Sequence, residues 1–99
     1  MSILAAFQPR RGANQTVTAA ATSASVSLDA QAKAVRLVNV GVNICFVRIG
    51  AGAQTATTAD MPVRAGSEIV VLKGDGDDTL AHISALGATL YIQTGEGGI

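Results

Sequence analysis

From Gln15 onward the chain alternates apolar and polar residues in short runs. The clearest run is 23–28, where Ala24, Val26 and Leu28 alternate with Ser23, Ser25 and Ser27. A period of two puts the apolar side chains on one face of an extended strand and the hydroxyls on the other. Further runs at 16–18, 35–40, 44–49, 61–63, 68–73, 79–84 and 89–93 are rich in Val, Ile, Leu and Thr and read as strands. Between two of them lies Asn39-Val40-Gly41-Val42-Asn43, which reads as a tight hairpin connection with Gly41 able to take a positive φ. The unbroken run Ile69-Val70-Val71-Leu72 predicts a strand buried on both faces or at a sheet centre.

The remaining stretches are punctuation. Residues 50–59 read as a flexible loop, too small and polar to join a core. Residues 64–67, 74–78 and 86–88 carry turn chemistry. Gly95, Gly97 and Gly98 read as a loose end. No segment sustains a 3.6-residue period, and the alanine-rich stretches are too short to stand as helices. The pattern therefore predicts an all-β fold: a two-sheet sandwich of about eight short strands, jelly-roll-like, over residues 15–99. Residues 1–14, broken by Pro9 and Gly12, read as an extended N-terminal arm.

Composition narrows what such a sandwich can do. The chain has 99 residues, enough for one domain, and 48% are hydrophobic, but only Phe7, Phe46 and Tyr91 are aromatic. An alanine-rich core is weak per residue, and small weak domains gain stability by associating. Seven Lys and Arg balance seven Asp and Glu. A neutral chain offers no field to gather nucleic acid, so a protein partner is expected instead. No apolar stretch reaches membrane-spanning length, and the first residues lack the pattern of a signal peptide. Cys45, the sole cysteine, sits in an apolar run as a small buried hydrophobe and fits a reducing compartment.

Reactive constellations are hard to find. His82 is the one histidine, flanked by Ala81 and Ile83 on an expected strand, and nothing in its spacing supplies a nucleophile. Asp75-Gly76-Asp77-Asp78 lacks the spread of ligands and the closing Glu of a calcium loop and reads as a hairpin turn. Gly50-Ala51-Gly52 opens no helix and precedes no phosphate-binding lysine. No catalytic residue, cofactor or metal site is expected, and the chain is not expected to be an enzyme.

Several phrases of the sequence have a familiar cast. They are Val35-Arg36-Leu37-Val38-Asn39-Val40-Gly41, Cys45-Phe46-Val47-Arg48-Ile49-Gly50, the segment from Thr57 to Val63, Ala65-Gly66-Ser67-Glu68, and Leu90-Tyr91-Ile92-Gln93-Thr94-Gly95-Glu96-Gly97. Over about residues 15–98 the chain resembles small structural proteins of tailed bacteriophages and prophages, among them the β-sandwich head-decoration, or cement, proteins. The resemblance implies a mechanical role on the capsid surface of a virion, in a protein made in the bacterial host cytoplasm. Dimers or trimers would bind the major capsid protein and tie neighbouring subunits together. A tail, neck or head-fibre component, or a module binding glycans or a host receptor, is the alternative. Position and chemistry single out candidate contact residues: Ile3, Leu4, Phe7, Arg10 and Arg11 in the arm, and Arg36, Arg48 and Arg64 for ion pairs with an acidic shell. The 50–59 loop is a further attachment candidate.

Overall fold

Every alternating run forms a strand, and a two-residue strand precedes them. The computed structural model describes residues 7–9, 14–74 and 76–96. Its strands are β1 (Gln8–Pro9), β2 (Gln15–Ala19), β3 (Ala24–Ser27), β4 (Ala34–Asn39), β5 (Cys45–Gly50), β6 (Met61–Val63), β7 (Glu68–Leu72), β8 (Thr79–Ile83) and β9 (Ala88–Glu96). All pairings are antiparallel. One sheet runs β2-β9-β4-β7, with β1 on the same side of β9 as β2; the other runs β3-β8-β5-β6. Leaving β1 aside, the first strand pairs with the last, the second with the next to last, and so inward: β2 with β9, β3 with β8, β4 with β7, β5 with β6. This nesting is the connectivity of a jelly roll. The expected all-β sandwich is the fold the chain adopts.

The core lies between the sheets and follows the pleat. Val35 and Leu37 of β4 and Leu90 and Ile92 of β9 meet Cys45, Val47, Val63 and Leu80 from the other sheet, all buried. Ile69, Val71, Val17, Val26, Ile49 and Met61 close its margins. Two polar side chains stitch the layers. Gln15 Nε2 donates to the Ser27 carbonyl at 2.6 Å. Asn39, fully buried on β4, donates through Nδ2 to the carbonyls of Val63 (3.0 Å) and Asn43 (2.9 Å), and its Oδ1 accepts from Gly41 N–H at 3.0 Å.

Several sequence expectations need correction. The runs at 35–40 and 44–49 are not a hairpin, and the stretch around 76–78 is not a hairpin turn: β4 and β5, and likewise β7 and β8, lie in different sheets. Buried Asn39 turns the chain from one layer to the other through its bond to the Asn43 carbonyl. Gly41 is needed for room, not for positive φ, because an added Cβ would stand 3.0 Å from Thr89 N and 3.2 Å from Ala88 Cα. β7 is an edge strand, not a central one, and Leu72 is 62% exposed. A continuous apolar run cannot distinguish a two-sided burial from an apolar edge. Gly95 is not a loose end but a buried residue of β9, flanked by Pro9 and Ala34.

A further correction concerns the 50–59 loop, which is tied down over the outer face of the β3-β8-β5-β6 sheet. Ala56 N–H donates to Ser23 Oγ at 2.8 Å, Gly52 N–H to Asp78 Oδ1 at 3.1 Å, and Arg48 to the Thr55 carbonyl at 3.3 Å. Ala56 is buried, and so is Ala81, which faces outward from the middle of β8 beside Arg48. The loop therefore contributes a small second layer of packing. The bond from Gly52 holds the Asp78 carboxyl below its usual range, with the Thr79 hydroxyl adding to it.

Candidate partner-binding surface

The connectivity gathers four connections at one end of the sandwich: 20–23, 40–44, 64–67 and 84–87. Exposed apolar side chains concentrate there. Val42 is 87% and Leu86 82% exposed, and Val40 and Ile44 lie between them in exposure and the buried strands. Arg64 is the one charged residue in these four connections. The opposite end carries Asp29, Lys33, Lys73, Asp77, Asp78 and Glu96.

This end is held rigidly. Asn43 Nδ2 donates to the carbonyls of Gly87 (2.9 Å) and Leu86 (3.3 Å), tying the 40–44 crossover to the last turn. Ser84 Oγ donates to the Ile44 carbonyl at 2.7 Å, and Ser84 N–H to the Ala20 carbonyl at 2.9 Å. Val40 N–H donates to Thr89, and Gly66 N–H to the Asn39 carbonyl. The apolar side chains therefore project from connections that hydrogen bonds tie to one another. Such a surface loses little conformational entropy on docking.

The sequence-derived candidates do not form one patch. Ile3, Leu4, Arg10 and Arg11 lie outside the described residues. Phe7 is half-buried just before β1, at the charged end. Arg36 stands mid-way along the outer face of the β2-β9-β4-β7 sheet, where its Nε donates to Glu68 Oε2 at 2.6 Å and Nη1 to Gln93 Oε1 at 2.7 Å. That hydrogen bond lowers the Glu68 carboxyl and raises the Arg36 guanidinium. Arg48 lies on the opposite outer face, 3.7 Å from Asp60, and fastens the loop. Only Arg64 sits at the apolar end. Val40, Val42, Ile44 and Leu86 escaped sequence reasoning, although three β-branched residues in a five-residue connection were a usable signal.

The chemistry of the remaining groups is limited. His82 is buried, facing the interior opposite Val47 and Ala24, and its Nδ1 has no hydrogen-bond partner among the described residues. Burial lowers its pKa. Burial likewise raises the Cys45 thiol, the direction that disfavours a reactive thiolate. Among the described residues no three His, Cys, Asp or Glu side chains converge as metal ligands, and no pocket is present. No helix of the described residues is long and apolar enough to cross a membrane. Tyr91 and Phe46 stand on opposite faces of the sandwich and share no stacking platform.

These features define an eight-stranded jelly-roll sandwich, with a short added strand, whose most distinctive surface is an apolar end with Arg64 as the one charged residue of its connections. The solved structure of PirA has a similar fold, with a TM-score of 0.59 and 10% identity over 86% of this chain and 95% of that one. A structure from work on Bacillus endospore appendages, a family of disulfide-linked pili, aligns with a TM-score of 0.43 and 14% identity over 97% of this chain and 96% of that one. At such identities the likeness to PirA concerns the fold alone. No protein-family model and no curated protein matches the sequence.

Proposed function

We propose that the protein is a structural, non-enzymatic component of a phage particle: a decoration protein that binds the outer surface of the head and strengthens contacts between major capsid proteins. The observation that carries this reading is the apolar end formed by Val40, Val42, Ile44 and Leu86 on a hydrogen-bonded base. An apolar patch with one charge among its connections docks on a protein surface with little cost in stripping water from charges. Many copies on a lattice act together, so each contact can be weak. The sequence resemblance to head-decoration proteins supplies the partner.

The test is binding to expanded heads assembled without the protein. The chain should co-sediment with them and raise the temperature at which they release DNA. Val42→Asp with Leu86→Asp should abolish co-sedimentation while leaving the fold intact. Heads equally heat-resistant with and without the chain would overturn the reading, and a labelled chain found on the tail would move it to the alternative virion site.

A further inference from the structure

The free edge of β7 is unlike the other sheet edges. β1 contains Pro9, β6 has three residues with Pro62 at its centre, and the outward Ser27 carbonyl of β3 is already bonded by Gln15. The free edge of β2 is lined by Thr16 and Thr18. Among the described strands β7 alone offers a continuous apolar edge, Ile69 to Leu72, with neither proline nor lysine within it to block pairing.

Its register fixes which groups are open. Asn39 N–H bonds the Ser67 carbonyl, and Lys73 N–H the Lys33 carbonyl. By antiparallel alternation residues 67, 69, 71 and 73 face β4, so Glu68, Val70 and Leu72 turn their backbone N–H and C=O groups outward. The side chains of these three residues lie on the outer face of the sheet.

We propose that β7 is the interface of a two-fold dimer, in which β7 of one copy pairs antiparallel with β7 of a second copy about Val70. The occupant follows from self-complementarity. Centring the two-fold on Val70 pairs Val70 with its own copy and each Glu68 with the Leu72 of the other chain. All three outward N–H groups of each strand then meet outward carbonyls, and no like charges stand opposite each other. Beyond Leu72 the edge meets Lys73, which is buried with its ammonium bonded to the Ala30 carbonyl, so Glu68 is the one charged side chain that β7 itself brings to the shared edge. The two β2-β9-β4-β7 sheets would merge into one, with Val38, Val70, Tyr91 and the Arg36–Glu68 pair spread over a continuous outer face. This dimer is independent of what the apolar end attaches to.

The test is the mass of the full chain in solution by light scattering, with three variants. The parent chain should be a dimer at high micromolar concentration. Val70→Pro removes an outward N–H and no bond to β4, so it should keep the far-UV spectrum and weaken dimerisation at least tenfold. Thr18→Pro, on the opposite free edge, should remain dimeric. Val70→Cys should cross-link on mild oxidation, because hydrogen-bonded antiparallel partners lie about 5.5 Å apart between Cα atoms, within the disulfide range. Leu72→Cys alone should not cross-link. A monomeric parent chain, a dimer unaffected by Val70→Pro, or equal cross-linking through Leu72→Cys would overturn the proposal. The cross-linking readout stands even if the proline variant fails to fold.

Discussion

Asn39 Nδ2 lies 3.0 Å from the Val63 carbonyl oxygen and joins the two sheets through a bond buried on both sides. The same amide nitrogen reaches the Asn43 carbonyl, and its oxygen accepts from Gly41. One side chain thus satisfies three backbone groups where the chain changes sheets. Asn39→Ala should strand those groups without water and destabilise the domain by about 2–4 kcal/mol. Urea unfolding measures this, and a loss below about 1 kcal/mol would show that solvent reaches the site.

His82 gives stability a pH dependence of defined sign. Its folded pKa lies below the ordinary 6.5 because burial disfavours the imidazolium. The unfolded chain therefore binds the proton more readily, so stability is constant above about 6.5 and falls as pH drops from there toward the folded value. Val47 and Ala24, opposite it on the neighbouring strands, carry no charge to offset the proton. Glu68 and Asp78 are also depressed, from 4.5 and 3.8, so the stability they contribute is lost as pH falls below about 4.5 and leaves the range from pH 7 to 5 to His82. The urea midpoint should fall between pH 7 and 5 for the parent chain and stay level for His82→Leu.

Two apolar residues that look alike in the alternation should respond differently to charge. Leu37 is fully buried at the centre of its sheet, whereas Val26 is half-buried on edge strand β3. Leu37→Asp should prevent folding, because an unpaired buried carboxylate costs several kcal/mol. Val26→Asp should leave a folded chain with a lowered melting temperature. Circular dichroism on both variants separates them.

Arg48 acts on the loop more than on the whole. Arg48→Ala removes the contact with Asp60 and the bond to the Thr55 carbonyl. Arg48 is half-exposed, so global stability should change by less than about 1 kcal/mol. Amide exchange across 51–60 should nonetheless accelerate severalfold, because the local opening that exposes Ala56 and Ala81 becomes easier. Unchanged exchange would mean that the Ser23 and Asp78 bonds suffice.

Gly41→Ala should destabilise the fold by about 1–3 kcal/mol, since the atoms its methyl would meet, Thr89 N and Ala88 Cα, are backbone. Gly52→Ala, at φ 74 with open space around it, should cost about 1 kcal/mol from conformation alone. Thermal unfolding ranks the pair.

Local pattern located the strands because each face of the sandwich repeats with a period of two, as at 23–28. It misjudged relations between strands. Whether 35–40 and 44–49 share a sheet depends on Asn39 and on nested pairing between residues as distant as Gln15 and Ile92. The edge position of Ile69-Val70-Val71-Leu72 is equally non-local. The candidate surface was legible only in part, since Arg36 and Arg48 look available in the sequence and are engaged in the fold. Val42 and Leu86 fall in stretches that read as turns, and only the topology brings those turns to one end.

The placement of β9 bears on the order in which the domain is built. β1, β2 and β4 all bond to it, so β1 and β2 have no strand partner until β9 is made, and β4 has only β7. The other sheet contains every strand it needs once Ile83 has emerged. A nascent chain can thus assemble one layer early, with its apolar inner face uncovered until the final strand arrives. Closure between residues so far apart in sequence makes this last step slow, and that interval is when the newborn protein is most prone to aggregate.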